Sequence, residues 1–198
     1  FYGNRLYSLL RFLETRDTPI IIVTPGHLYR HVYMSQNNTT EEDGEEIALK
    51  KQKSYIEEEL LPCLENFPDM NIRLVNWYDY YQKDAFQDIL QEFHAAFNKN
   101  GPFAKDMSQS VKNFLKLSDT DCLTEKGQKD FACSVNFVLE EYTFFSYAVL
   151  NGHPALVYPG RVFFDVHKIA LLEDCPPLFL KTVFLSAEFR RKGRRRRI

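Results

Sequence analysis

The residues in this sequence best placed to do chemistry are two adjacent acids, Glu140 and Glu141. They lie inside a largely apolar run, residues 136–145, that includes Phe137, Val138, Leu139, Phe144 and Phe145. At about 3.6 residues per helical turn, these side chains crowd one another. A carboxylate held beside apolar groups acquires a raised pKa, a charged partner, or both. A short run, residues 155–158, follows and ends at Tyr158 and Pro159, where a strand would stop. A glutamate on a helix and a tyrosine at a strand end can converge on one pocket. On spacing alone the simpler reading is a core helix with one exposed and one half-buried acid, because structural ion pairs also shift carboxylates.

The elements that would position these residues can be read from hydrophobic period. Leu6, Leu9, Leu10 and Leu13 mark an amphipathic helix over residues 4–15. The β-branched run 20–24, closed by Pro25 and Gly26, reads as a buried parallel strand. Residues 37–46 are polar and acidic and are expected as a loop, with a helix over 45–66. Residues 70–77 alternate and read as a second strand, with a turn at 79–81. Helices are expected over 85–98, 103–117 and 129–147, and the third strand is 155–158. A short strand at 162–166, and a strand or last helical turn at 178–184, complete the chain. Strands alternating with helices predict an open, mostly parallel α/β sheet. Ligands of such sheets bind at the carboxyl ends of the strands, here Pro25 and Gly26, residues 77–79, and Tyr158 and Pro159. Neither a GxGxxG nor a P-loop lysine motif is present.

Bulk properties narrow the class. At 198 residues, 44% hydrophobic and 26% charged, the chain suits one soluble domain. The apolar runs are shorter than the roughly 20 residues of a membrane span, and no signal peptide opens the sequence. Cys63, Cys122, Cys133 and Cys175 are widely spread, as are His27, His31, His94, His153 and His167, so no metal motif is expected. A reducing, cytoplasmic setting follows. Charge is uneven. Residues 190–197 carry 7 of the 25 basic residues, so 18 remain against 27 acids, a net charge of −9. The expected organisation is a single domain over residues 1–189 with a basic tail at 190–198. Lys50, Lys51 and Lys53 form either a basic face for a polyanion or a charged solvent face.

With these parts in order, the chain resembles the tRNA-dependent cyclodipeptide synthases, whose Rossmann-like domain is similar to the catalytic domain of class I tyrosyl-tRNA synthetases. The resemblance rests on Phe137-Val138-Leu139-Glu140-Glu141, which stands where the family has Tyr-x-x-x-Glu, then on Leu150-Asn151-Gly152-His153-Pro154 and Val157-Tyr158-Pro159. Supporting matches are Phe1-Tyr2-x-x-Arg5-Leu6, Val23-Thr24-Pro25, residues 48–53, Leu74-Val75-Asn76-Trp77 and Phe97-x-x-x-x-Pro102-Phe103. Together they run from residue 1 to about residue 163. Proline after Tyr158 matches the subfamily in which Tyr-Pro closes the catalytic strand.

The resemblance implies an aminoacyltransferase that joins the residues of two aminoacyl-tRNAs into a 2,5-diketopiperazine through a seryl intermediate. It implies Glu141 and Tyr158 as catalytic groups, Pro159 and Tyr142 at the substrate pocket, and Lys50, Lys51 and Lys53 on the tRNA. No cofactor, metal or membrane is implied, and a monomer is expected. Two departures stand out. The family nucleophile is a serine on an element whose end matches Phe1 and Tyr2, so that serine and the first strand are expected upstream of residue 1. The family tyrosine is Phe137 here, which removes a hydroxyl that Tyr142 or Tyr147 would have to replace. The alternative register makes Glu140 the catalytic acid and puts Asn136 at the tyrosine position; Glu141 keeps an aromatic there. A second functional reading is a noncatalytic relative that binds tRNA or another anion. A third, an unrelated α/β enzyme on a phosphorylated substrate, lacks a phosphate loop.

Overall fold

The computed structural model describes residues 4–16, 19–153, 155–159, 166–181 and 183–187, with side chains for 5–15, 19–153 and 168–181. Residues 162–165, expected as a strand, and the tail 190–198 lie outside the described residues.

Helix α1 (Asn4–Leu13) leads into strand β1 (Ile20–Thr24), which pairs in parallel with β2 (Ile72–Asn76) from Ile20↔Ile72 to Thr24↔Asn76. The crossover between them is helical: α2 (Arg30–Asn37), then α3 (Glu41–Tyr55), a π-helical turn (Ile56–Leu60) and α4 (Leu61–Leu64). A second parallel pair joins β3 (Ala155–Pro159) to β4 (Val183–Ala187). The remaining helices are α5 (Trp77–Tyr81), α6 (Asp84–Asn98), α7 (Pro102–Leu115), α8 (Glu125–Leu150) and α9 (Val166–Ala170). Parallel strands joined by helices make this an α/β fold, as expected.

Strand β1 divides two apolar clusters. Ile20 and Ile22 pack against Leu6, Leu10, Leu60 and Phe67, whereas Val23 packs with the larger cluster built by α6, α7 and α8. Successive strand residues face opposite sides, so a β-branched run is covered on both faces. The larger cluster is aromatic. Tyr142 stacks on Phe179 at 4.3 Å, and Phe93 meets both rings edge-on at 6.2 and 5.8 Å. Ring pairs of this kind add about 0.5–1.5 kcal/mol beyond their burial. The regular period of α6 produces this face: Phe86, Ile89, Leu90 and Phe93 are all buried.

Three boundaries differ from expectation through a cap. Residues 41–46 are helical rather than loop, because the Thr40 hydroxyl accepts from the Asp43 N–H at 3.2 Å and three acids fill the first turn. Thr124 likewise starts α8 four residues early, accepting from the Gly127 N–H at 3.0 Å. Asn76 caps Tyr78 N–H at 3.1 Å and turns the expected turn at 79–81 into α5. Residues 178–184 hold a 3-10 turn (Phe179–Lys181) and the start of β4. The π turn precedes Pro62, which has no N–H to donate and whose ring would press on the carbonyl four residues back; the wider turn relieves that clash.

Candidate functional site

The paired register brings the ends of β1 and β2 level, Thr24 opposite Asn76, so their outgoing loops share one edge. The loops meet there. His27 lies against Tyr78 at 5.0 Å and against Tyr81 at 4.4 Å. Gly26 N–H donates to the side chain of Gln52 on α3, and a Cβ at position 26 would collide with that same amide. The lysine-bearing helix is thus docked directly on the strand-end loop.

Helix α2 begins just beyond this loop and supplies Arg30 and His31 to a buried cluster of charged side chains. Arg30 is 2% exposed and Glu140, on α8, is 4% exposed. Arg30 donates Nη1–H to Glu140 Oε2 at 3.0 Å and Nη2–H to Oε1 at 2.5 Å. His31 Nε2 lies 2.7 Å from the same Oε1. The guanidinium is held in turn: Nε–H donates to Glu41 at 2.8 Å, Nη1–H to the His27 carbonyl at 3.0 Å, and the Tyr81 ring lies 5.2 Å below Cζ. His27 Nδ1 bonds Glu45 at 2.8 Å. Burial alone would raise the Glu140 carboxyl, but hydrogen bonds from His31 and Arg30, and the charge of Arg30, hold it below the ordinary value. Burial, aided by the charge of Arg30, lowers His27, against the opposing bond to Glu45.

This arrangement separates the two acids. Both oxygens of Glu140 are occupied by Arg30 and His31, which makes it a structural ion pair. Glu141 is half-buried on the adjacent stripe of α8, one turn after the half-buried Phe137. Phe137 meets the ring of Tyr29, in the loop after β1, edge-on at 5.7 Å and 87°. Tyr29 is 41% exposed. The Phe137–Glu141 stripe therefore adjoins the loop at the carboxyl end of β1.

The other expected residues are distributed as follows. Tyr158 and Pro159 close β3; their side chains lie outside the described residues. Tyr142 is wholly buried in the aromatic core, and Tyr147 packs on Tyr80 at 5.6 Å and Phe86 at 5.8 Å. Lys50, Lys51 and Lys53 are exposed on α3. Lys51 caps the Tyr33 ring at 4.6 Å and Lys53 lies 3.9 Å from Glu57. Sequence pattern alone does not mark Arg30 and His31 as partners of an acid. An Arg-His pair opening a helix just beyond a strand-end loop, in a chain with an acid in an apolar helix, was the available signal.

Among the described residues no group of three or more His, Cys, Asp or Glu side chains is arranged to hold a metal ion. No helix among them is long and apolar enough to cross a membrane. The four cysteines are free thiols, and burial pushes Cys175 up to about 12.

No protein-family model matches this sequence, and neither does any curated protein. Solved structures do. A CDPS from Fluoribacter dumoffii superposes with a TM-score of 0.76 over 96% of this chain and 85% of that one, at 12% identity. AlbC, a cyclodipeptide synthase from Streptomyces noursei, gives a TM-score of 0.65 over 95% of this chain and 89% of that one, at 14% identity. Likeness of this extent at such low identity is a likeness of fold. The chain has the α/β, Rossmann-like architecture of these proteins.

Proposed function

We propose that this protein is an aminoacyltransferase that makes a cyclic dipeptide from two aminoacyl-tRNAs. One observation carries the reading: two structures named as cyclodipeptide synthases match nearly the whole chain, TM-scores 0.76 and 0.65. The separation of the two acids supports it. Glu140 is bonded by Arg30 and His31, and the neighbouring half-buried Glu141 is the acid that the resemblance places at the catalytic position.

In this reading a serine hydroxyl attacks the ester carbonyl of the first aminoacyl-tRNA. The tRNA leaves as its 3′-terminal ribose hydroxyl, taking up the proton. The enzyme-bound amine then attacks the ester of a second aminoacyl-tRNA, releasing that tRNA and leaving a dipeptidyl ester. Finally the terminal amine attacks the seryl ester carbonyl, closing the six-membered ring and restoring the serine. Both ester bonds arrive activated, so no nucleotide is consumed. Covalent capture divides one difficult transfer into easier steps. Glu141 binds the substrate ammonium and accepts its proton as each amine attacks, and Tyr158 positions the substrate and relays a proton. Lys50, Lys51 and Lys53 contact the tRNA backbone.

The test is expression of the full-length chain in bacteria, with diketopiperazines sought in the medium by mass spectrometry. A cyclic dipeptide absent from control cultures supports the reading. None, from a soluble and folded protein also supplied with charged tRNA in vitro, rejects it.

A further inference from the structure

The residue beside Glu141, Glu140, takes three contacts from α2. We propose that Arg30 is a positioning residue for Glu141, acting through Glu140. This rests on Glu141 being the acid of the site. The fork of Arg30 takes both oxygens of Glu140, at 3.0 and 2.5 Å, and His31 adds a third contact at 2.7 Å. Arg30 is itself fixed by Glu41, by the His27 carbonyl and by the Tyr81 ring. The apolar neighbours on α8, Val138 and Leu139, are buried by contacts that set no hydrogen-bond direction. Two parallel hydrogen bonds to a planar fork do impose one.

The consequence is geometric. Side-chain tips lie about 5–6 Å from a helix axis, so turning α8 by about 10° moves the Glu141 carboxylate about 1 Å. A displacement of that size costs about 100-fold in rate when a group must meet a reacting atom. Arg30 opens α2 immediately after the loop leaving β1, so the clamp refers the rotation of α8 to the strand edge where substrate would lie. A buried ion pair is often replaceable by apolar residues without loss of stability, so stability alone does not account for one at this position.

The experiment compares wild type with the double variant Arg30→Met/Glu140→Leu and with Arg30→Lys, which keeps the charge and loses the fork. Each is assayed for melting, for kcat and KM of diketopiperazine formation, and for the titration of the Glu141 carboxyl by 13C NMR, assigned with Glu141→Gln. The expected result is a folded double variant with kcat about 100-fold lower, KM within about twofold, and a displaced Glu141 titration; Arg30→Lys falls between. A folded double variant with wild-type kcat and an unmoved Glu141 titration overturns the proposal. If the double variant does not fold, the same readouts on Arg30→Lys decide in the same way. If wild type makes no product, the enzymatic reading fails, and the Glu141 titration still judges the clamp.

Discussion

Arg30 and Glu140 meet through two parallel hydrogen bonds across 110 positions of sequence, with both side chains almost fully withdrawn from water. Removing one partner leaves the other charge buried with its remaining side-chain partner alone, Glu41 for Arg30 and His31 for Glu140. Glu140→Ala and Arg30→Ala should therefore each destabilise the fold by about 3–5 kcal/mol, and the double alanine variant by less than the sum. Denaturant melts of the four proteins check this. Because Glu140 is held below its ordinary pKa, its contribution is complete above the ordinary carboxylate range. It is lost as pH falls through the lowered value.

Glu141→Gln keeps the size of the side chain and removes its capacity to take a proton. Product formation should fall about 100- to 10,000-fold. Tyr158→Phe should also fall sharply. Chromatography with mass detection reads both, and wild-type yield from either variant would remove that residue from the mechanism.

The lysines of α3 make a separable prediction. Replacing Lys50, Lys51 and Lys53 by alanine should weaken binding of aminoacyl-tRNA and flatten its salt dependence, by about 0.9 in the log–log slope per lost phosphate contact. Filter binding across a salt series measures this. Equal slopes before and after would put the RNA surface elsewhere.

What was legible depended on how local the cause was. Helix α6 and strand β1 follow from patterns within a dozen residues: the buried Phe86, Ile89, Leu90 and Phe93 of one, the β-branched run of the other. The start of α3 was obscured because Thr40 caps an acidic segment whose composition resembles a loop. Spacing could not tell Glu140 from Glu141, since both sit in the same apolar run. The distinction lies in Arg30 and His31, and nothing near residue 140 announces them. Local pattern marked the stretch; only tertiary contact shows that Glu140 is held by Arg30 and His31.

His27 gives a pH prediction whose sign is set by burial. Its folded-state pKa is lowered from 6.5, chiefly by desolvation and then by Arg30, with Glu45 opposing. Between the lowered value and 6.5 the unfolded chain binds more protons than the folded one, so stability rises with pH across that window. His94 is lowered in the same direction by burial and adds to the slope. Melting temperature should fall as pH drops through 6.5, and His27→Gln should make that fall shallower. A profile as steep in the variant as in wild type would assign the effect to other groups.

Gly44 sets local propensity against packing. Alanine is favoured over glycine inside a helix by about 1 kcal/mol, so Gly44→Ala in α3 would be stabilising on propensity alone. Gly44 is buried where α3 crosses α2, and a Cβ there would sit 2.9 Å from the carbonyl oxygen of Arg30 and 2.8 Å from Cγ of Met34. The methionine side chain can move aside, but the Arg30 carbonyl belongs to the backbone of α2. Relief requires the two helices to part, and overpacking of this kind costs about 1–3 kcal/mol. The net expectation is destabilisation, read as a lower denaturant midpoint. The displaced backbone is that of the residue clamping Glu140, so product formation should fall further than stability alone explains. A variant that melts higher than wild type would mean that the α2–α3 contact is looser than the close approach at Gly44 requires.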